Sequence, residues 1–315
     1  MLFIVAGHIG NRSAIQPYEL SSFSTIAPHC VDCYFIISGY FLICSRFKFE
    51  KILKIIAETI FYSFTITLIF FLLGQCDTIQ LLKSLTPIYC YWFVNKYLAI
   101  ILLSPFICKL CTSIDKKMYQ ILIVSLLFLS STLFIYFPFG PLFGDGFSLL
   151  WVMTLFITGG YIRLHLSNHN GNWGIITIVL LIIYNLCRIY AGEHLNLGYN
   201  SLITYALTIT TFMWFKGLDL KKGKFVSIIE FISPHVFAAY LIHEQPYLRE
   251  HIMTFSRSLN EYLPSILTVY LNAILIIFTS ALIDKSRITL MRSCKIESLI
   301  NWISYRIDNI YYSQE

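Results

Sequence analysis

The sequence predicts an all-α, polytopic integral-membrane bundle of about ten helices, built as a single domain over residues 1–315. Three observations lead there. Apolar runs close to 20 residues long recur from end to end, the length that crosses a hydrocarbon core. The chain is 57% hydrophobic and only 13% charged, with a mean hydropathy of +0.69, where a soluble domain carries about 25% charged residues. Finally, basic and nearly uncharged loops alternate. Arg46, Lys48, Lys51 and Lys54, then Lys109, Lys116 and Lys117, then Arg163 fall in alternate loops. Lys216, Lys221, Lys222 and Lys224, and then Lys285, Arg287, Arg292, Lys295 and Arg306, complete the set, 17 of the 23 Lys and Arg. Positive charge stays on the cytoplasmic side of a membrane, so these loops are expected on the inside face, with both termini cytoplasmic. The remaining loops hold Arg12, Lys83, Arg188, Arg249 and Arg257, and Lys96 lies inside an apolar run.

Taken in order, Met1–Ile9 is an apolar stub closed by Gly10-Asn11-Arg12-Ser13. It is too short to span a bilayer, and it has neither the basic head nor the small-residue cleavage site of a signal peptide. It reads as the second half of a first helix that starts upstream. Nine further spans follow at roughly 31–44, 52–74, 88–108, 118–137, 147–164, 173–191, 199–216, 226–243 and 263–283. The first of these is short and is expected to extend into its neighbours. Pro246 ends or kinks the eighth. Continuous apolar runs exclude a β-barrel, whose strands alternate, and no inverted repeat of the transporter kind is visible. The net charge of +6 lies in short loops beside the membrane, so it calls for lipid and not for nucleic acid. Nine scattered cysteines make no disulfide framework. The lone Cys30-x-x-Cys33 reads as packing, since no second ligand pair points to a metal.

Ionisable groups at membrane depth are costly and usually functional. His8 closes the stub. From Val226 to His243 is a rise of about 26 Å at 1.5 Å per residue, which carries His243 to the same outer level. Tyr240, His243, Glu244 and Tyr247 share a helix face. Two imidazoles and a carboxylate at one level suit proton transfer near neutrality, although a histidine at a helix end also fits simply among headgroups. Lys96, in Trp92-Phe93-Val94-Asn95-Lys96-Tyr97, either counters an anion in a cavity or snorkels outward. Asp32 opens the second helix, where a carboxylate favours the positive helix end. Arg188 and His194 read as solvated, and Glu58 reads as the interfacial partner of Lys54 four residues earlier.

Several segments resemble acyltransferase family 3, the bacterial membrane O-acyltransferases. Val31-Asp32-Cys33-Tyr34-Phe35-Ile36-Ile37-Ser38-Gly39-Tyr40-Phe41-Leu42 is similar to that family's VDxFFxxSGYLL signature. Phe3-Ile4-Val5-Ala6-Gly7-His8 resembles the end of its first helix, which carries an Arg, ten residues, then His; here the arginine position falls before Met1. Trp92-Phe93 with Tyr97 and Leu103-Ser104-Pro105-Phe106, and Tyr240-Leu241-Ile242-His243 through Pro246, Tyr247, Leu248 and Arg249, resemble two later segments. Gly160-Tyr161-Ile162-Arg163 is a weaker echo. Each segment is degenerate alone, but four in order are specific.

The resemblance implies transfer of an acyl group, usually acetyl from acetyl-CoA, to a hydroxyl of a surface polysaccharide (capsule, O-antigen or exopolysaccharide) or its polyprenyl-linked precursor. It implies His8, His243, Asp32 and Glu244 as the catalytic set, with Asp32 fixing His8. Lys96, Tyr97, Trp92, Arg249, Ser38 and Tyr240 are then expected around the acceptor. Arg46, Lys48 and Arg163 are expected to receive the polyanionic donor on the inside, and no permanently bound cofactor is expected. The readings to be weighed against it are a secondary transporter, with His8, Lys96 and His243 as a relay, and a non-catalytic membrane partner of a polysaccharide assembly complex.

Overall fold

A computed structural model describes residues 1–13, 27–86, 91–131, 146–166, 171–191 and 197–312. Every regular element among them is helical. In chain order they are α1 (Leu2–Arg12), α2 (Ala27–Leu42), α3 (Phe49–Leu72), α4 (Thr78–Lys83), α5 (Trp92–Ser113), α6 (Lys116–Ser130) and α7 (Leu149–His165). There follow α8 (Trp173–Ala191), α9 (Leu202–Lys216), α10 (Lys224–Ile232), a 3₁₀ turn Ser233–His235, α11 (Val236–His243), α12 (Pro246–Asn260), α13 (Ser265–Ser293) and α14 (Ile296–Tyr312). Local chemistry sets several starts. Ser148 and Ser201 accept the backbone N–H of Trp151 and Thr204 at the heads of α7 and α9, Asp115 accepts from Met118 before α6, and Asp77 with Gln80 closes a capping box on α4. Each satisfies an orphan donor of a first turn. Pro246 takes the first position of α12, where its missing N–H costs nothing.

Among the described residues, four segments are long and apolar enough to cross a membrane: α3, α5, the Lys224–His243 run and α13; α7 and Trp173–Cys187 of α8 are apolar but shorter. The seventh and eighth expected spans thus differ in kind. Residues 199–216 give the 15-residue α9. Residues 226–243 give a crossing interrupted at Ser233–His235, where Pro234 removes a backbone donor. The last expected span does not stop at 283. Helix α13 continues through the polar stretch Asp284-Lys285-Ser286-Arg287 to Ser293, because the Asp284 side chain finds partners inside the protein. The span expected at 31–44 begins earlier, at Ala27, so Asp32 is a second-turn residue buried to 2% exposure and not a helix cap.

The helices gather into two compact units. The first comprises α1, α3, α4, the opening turns of α5, and everything from α10 on. Its apolar centre joins Val5, Ala6 and Ile9 of α1 to Ala239 of α11, Met253 of α12 and Val269, Ala273 and Ile277 of α13. A buried polar cluster lies elsewhere in this unit. Asp284 accepts hydrogen bonds from Tyr62 (2.7 Å), Arg287 Nε (2.6 Å) and His235 Nδ1 (2.6 Å), and Arg287 Nη2 reaches Glu58 at 3.3 Å. Glu58 therefore pairs across helices with Arg287. Lys54 pairs with Glu50 at 2.5 Å, which corrects the expected Lys54–Glu58 pair.

The second unit holds α2, most of α5, and α6 to α9. Its closest packing is between α2 and α7. A Cβ added to Gly39 would lie 1.9 Å from the Phe156 carbonyl oxygen, and one added to Gly159 would lie 2.1 Å from that of Ile36. Two glycines, one on each helix, bring the backbones together as small residues do in membrane bundles. The Ser38-Gly39-Tyr40 and Gly160-Tyr161-Ile162-Arg163 segments meet through this contact. Arg163 donates to the Tyr40 hydroxyl at 3.0 Å, and Trp151 Nε1 donates to Asp32 Oδ2 at 3.4 Å. The eight described cysteines are free thiols.

Gly159→Val should lower the melting temperature of the purified protein sharply, since its side chain meets a backbone oxygen that has no room to retreat; an unchanged melting curve would refute the close approach. Asp284→Ala should cost about 3–5 kcal/mol, because it strands Arg287, Tyr62 and His235 in the interior. Denaturant titration in detergent measures it, and a loss below 1 kcal/mol would show that the cluster is not held as described.

Candidate functional site: two imidazoles on one carboxylate

Helix α1 delivers His8 and Arg12 four residues apart, on one face. The end of α11 delivers His243, and the next residue, Glu244, caps that helix. The four side chains converge in the first unit. His8 Nδ1 lies 2.7 Å from Glu244 Oε1 and 2.9 Å from His243 Nε2. Arg12 donates to the same Oε1 at 2.5 Å, and Arg249, near the start of α12, approaches Oε2 at 3.8 Å. His243 is fully buried, and its Nδ1 donates to the Ala239 carbonyl at 2.6 Å.

These partners assign the tautomers. A proton on His243 Nδ1 leaves its Nε2 as acceptor. The proton of neutral His8 then lies on Nδ1, shared between Glu244 and His243. The lone pair of His8 is on Nε2, which neither Glu244 nor His243 engages. A carboxylate holding one imidazole nitrogen while the other is left basic is the arrangement of a general base or a nucleophile. His243 is fully buried and has both nitrogens committed, one to the Ala239 carbonyl and one to His8.

Glu244 is ionised throughout the neutral range. Burial pushes its carboxyl up, but the hydrogen bond and charge of His8, with the charges of His243 and Arg12, outweigh that and hold it at about 2. The carboxylate thus stabilises an imidazolium as it forms on His8. The three atoms His8 Nδ1, His243 Nε2 and Glu244 Oε1 lie close enough to share a cation. To do so His8 would have to move its proton to Nε2, and Arg12 would have to leave the oxygen they share.

Around this centre the opening turns of α5 pack against α11. Tyr240 lies 5.6 Å from Phe93 and 5.8 Å from Tyr91, ring centre to ring centre, and 6.2 Å from His243. Tyr97 stacks on Phe93 at 5.6 Å, Trp92 meets Phe93 edge-on, and Lys96 is half-buried on the same turns. The Tyr91 hydroxyl donates to the Leu241 carbonyl at 3.1 Å, tying the two segments together. The expected residues Trp92, Tyr97, Tyr240 and Arg249 are therefore gathered in the unit that holds His8 and His243.

Asp32 and Ser38 belong to the second unit. Ser38 donates to the Tyr34 carbonyl of its own helix at 2.7 Å. The carboxylate on His8 is Glu244, and Asp32 is bonded to Trp151. Arg46 and Lys48 are exposed between α2 and α3, and Arg163 is exposed at the end of α7. His194 and the Arg188 side chain lie outside the described residues. The sequence puts Arg12 in a loop, whereas in the structure it reaches Glu244 beside His8, and its spacing of four residues from His8 is the signal for this. The expected span ends at 283, so the Glu58–Tyr62–His235–Asp284–Arg287 cluster goes beyond the sequence expectations.

A depressed carboxyl contributes stability above its unfolded pKa and loses it as pH falls through the folded value. Stability should therefore decline between about pH 4.5 and about 2 on account of Glu244. Glu244→Gln should flatten that part of the melting temperature–pH curve, and an identical slope in the variant would disprove the network.

A family described as the acyltransferase domain matches residues 1–285, most of the chain. Neither a curated protein nor a solved structure matches it. The chain belongs to acyltransferase family 3 and is a membrane acyltransferase.

Proposed function

We propose that the chain is an O-acetyltransferase of the bacterial cytoplasmic membrane, one domain crossing the bilayer about ten times, that moves acetyl from acetyl-CoA to a hydroxyl of a surface polysaccharide or its polyprenyl-linked precursor. The observation that carries the reading is the His8 imidazole, held through Nδ1 by Glu244 at 2.7 Å with Nε2 left basic. His8 Nε2 takes the proton of the acceptor hydroxyl as its oxygen attacks the thioester carbonyl. The C–S bond then breaks, and the imidazolium returns the proton to the departing thiolate, so the products are the ester and the free thiol. Glu244, itself fixed by Arg12 and Arg249, compensates the charge that His8 acquires. His243 holds His8 in register. In this reading Lys96, Tyr97 or Arg249 polarises the carbonyl oxygen, and the Trp92–Tyr97–Tyr240 aromatics offer flat apolar walls to sugar rings.

The charge pattern supports the topology. Cation-rich ends facing the cytosol suit a donor with several phosphates, with Arg46, Lys48 and Arg163 among them. Asp32, buried at Trp151, is read as a positioning residue for the second unit.

His8→Ala should lower kcat by about 10²- to 10⁴-fold, the range for a lost general base, measured as acetyl transfer to glycan in membranes with expression matched by immunoblot. Arg12→Gln should lower it less. Undiminished acetylation by a well-expressed His8→Ala chain would end the assignment.

A further inference from the structure

In the second unit the start of α8 and the end of α9 border an open cavity of about 460 Å³ whose lining includes Trp173, Trp214, Asn172, Met213, Gly174 and Gly217. That volume lies within the range of small-molecule sites. Glycines seat its two indoles: a Cβ on Gly174 would fall 2.8 Å from Trp214 Nε1, and one on Gly171 would fall 2.8 Å from Trp173 Nε1. Trp173 Nε1 is buried with no hydrogen-bond acceptor, a state native proteins rarely leave unexplained. Cations stand at the ends of α7 and α9. Lys216 immediately precedes the lining residue Gly217, and its ammonium lies 5.7 Å over the Tyr40 ring. Arg163 lies 5.0 Å over the same ring. Flat aromatic walls next to guanidinium and ammonium groups suit a nucleobase joined to phosphates.

We propose that this cavity binds the adenine nucleotide portion of the acyl donor, with the base against the indoles and the phosphates toward Lys216 and Arg163. The proposal rests on acetyl-CoA being the donor and on these helix ends facing the cytosol. An anionic phospholipid headgroup would engage the cations but has no planar group for the tryptophans, so the walls favour the nucleotide.

The test uses the full chain in phosphatidylcholine nanodiscs. Tryptophan fluorescence is titrated with adenosine 3′,5′-bisphosphate, with inorganic phosphate, and after adding phosphatidylglycerol to the discs. The bisphosphate should bind saturably and the other two should not. Trp214→Leu should weaken that binding about tenfold, the scale of one base stack. Gly217→Leu should do the same by filling the cavity. Its backbone, at φ −85°, accepts a side chain, and the nearest atom to an added Cβ is 3.5 Å away. In transfer assays both variants should raise KM for acetyl-CoA about tenfold with kcat held, and should match the native protein with acetyl-pantetheine, which has no nucleotide. No saturable bisphosphate binding, an equal response to phosphatidylglycerol, or equal losses with both donors would overturn the proposal. If neither donor supports transfer in the native protein, the acetyl-CoA reading fails, and the titration still decides what the cavity binds.

Discussion

One carboxylate oxygen organises the candidate centre. Glu244 Oε1 receives Arg12 and His8, so a loop residue after α11 fixes a side chain more than 230 positions earlier in the chain. A buried carboxylate is tolerable only with such compensation. Remove it and His8 loses its tautomer, Arg12 loses its anchor, and His243 faces a ring with no defined donor. The chemistry attributed to His8 follows from this geometry, because an imidazole becomes a directed base when its other nitrogen is occupied.

The second unit works through contact distance. Gly39 and Gly159 allow α2 and α7 to touch along their backbones. That contact sets Tyr40 beneath Arg163 and Asp32 against Trp151. The Ser-Gly-Tyr segment is thus intelligible as packing before any catalytic meaning is given to it. The Ser38 hydroxyl bonds to the Tyr34 carbonyl of its own helix.

The helical class, the membrane character and the pairing of the two histidines were legible in the sequence, because apolar run length, charge spacing and helical rise are local quantities. His8 and His243 could be placed at one level by counting residues. What could not be read was which groups would neutralise one another across helices. Glu58 had a plausible partner four residues away in Lys54, yet Glu50 takes that lysine and Arg287 takes Glu58. Asp284 looked like the start of a loop because its compensation comes from Tyr62 and His235, far off in sequence. Asp32 looked like a cap because the apolar run starts at Val31, directly after Pro28-His29-Cys30. Each miss has the same origin: a charge inside the membrane is priced by distant partners that sequence distance conceals.

The Asp284 cluster also constrains biogenesis. Glu58 and Tyr62 on α3 are made early, and His235 follows on the 3₁₀ turn, but Asp284 and Arg287 arrive only with α13. Until the ribosome has produced that helix, a carboxylate and an imidazole wait in the bilayer without the ions that complete them. The cluster of the first unit is therefore complete only when α13 has been made, and a chain halted before residue 284 lacks the acceptor that Tyr62 and His235 share and the guanidinium that pairs with Glu58.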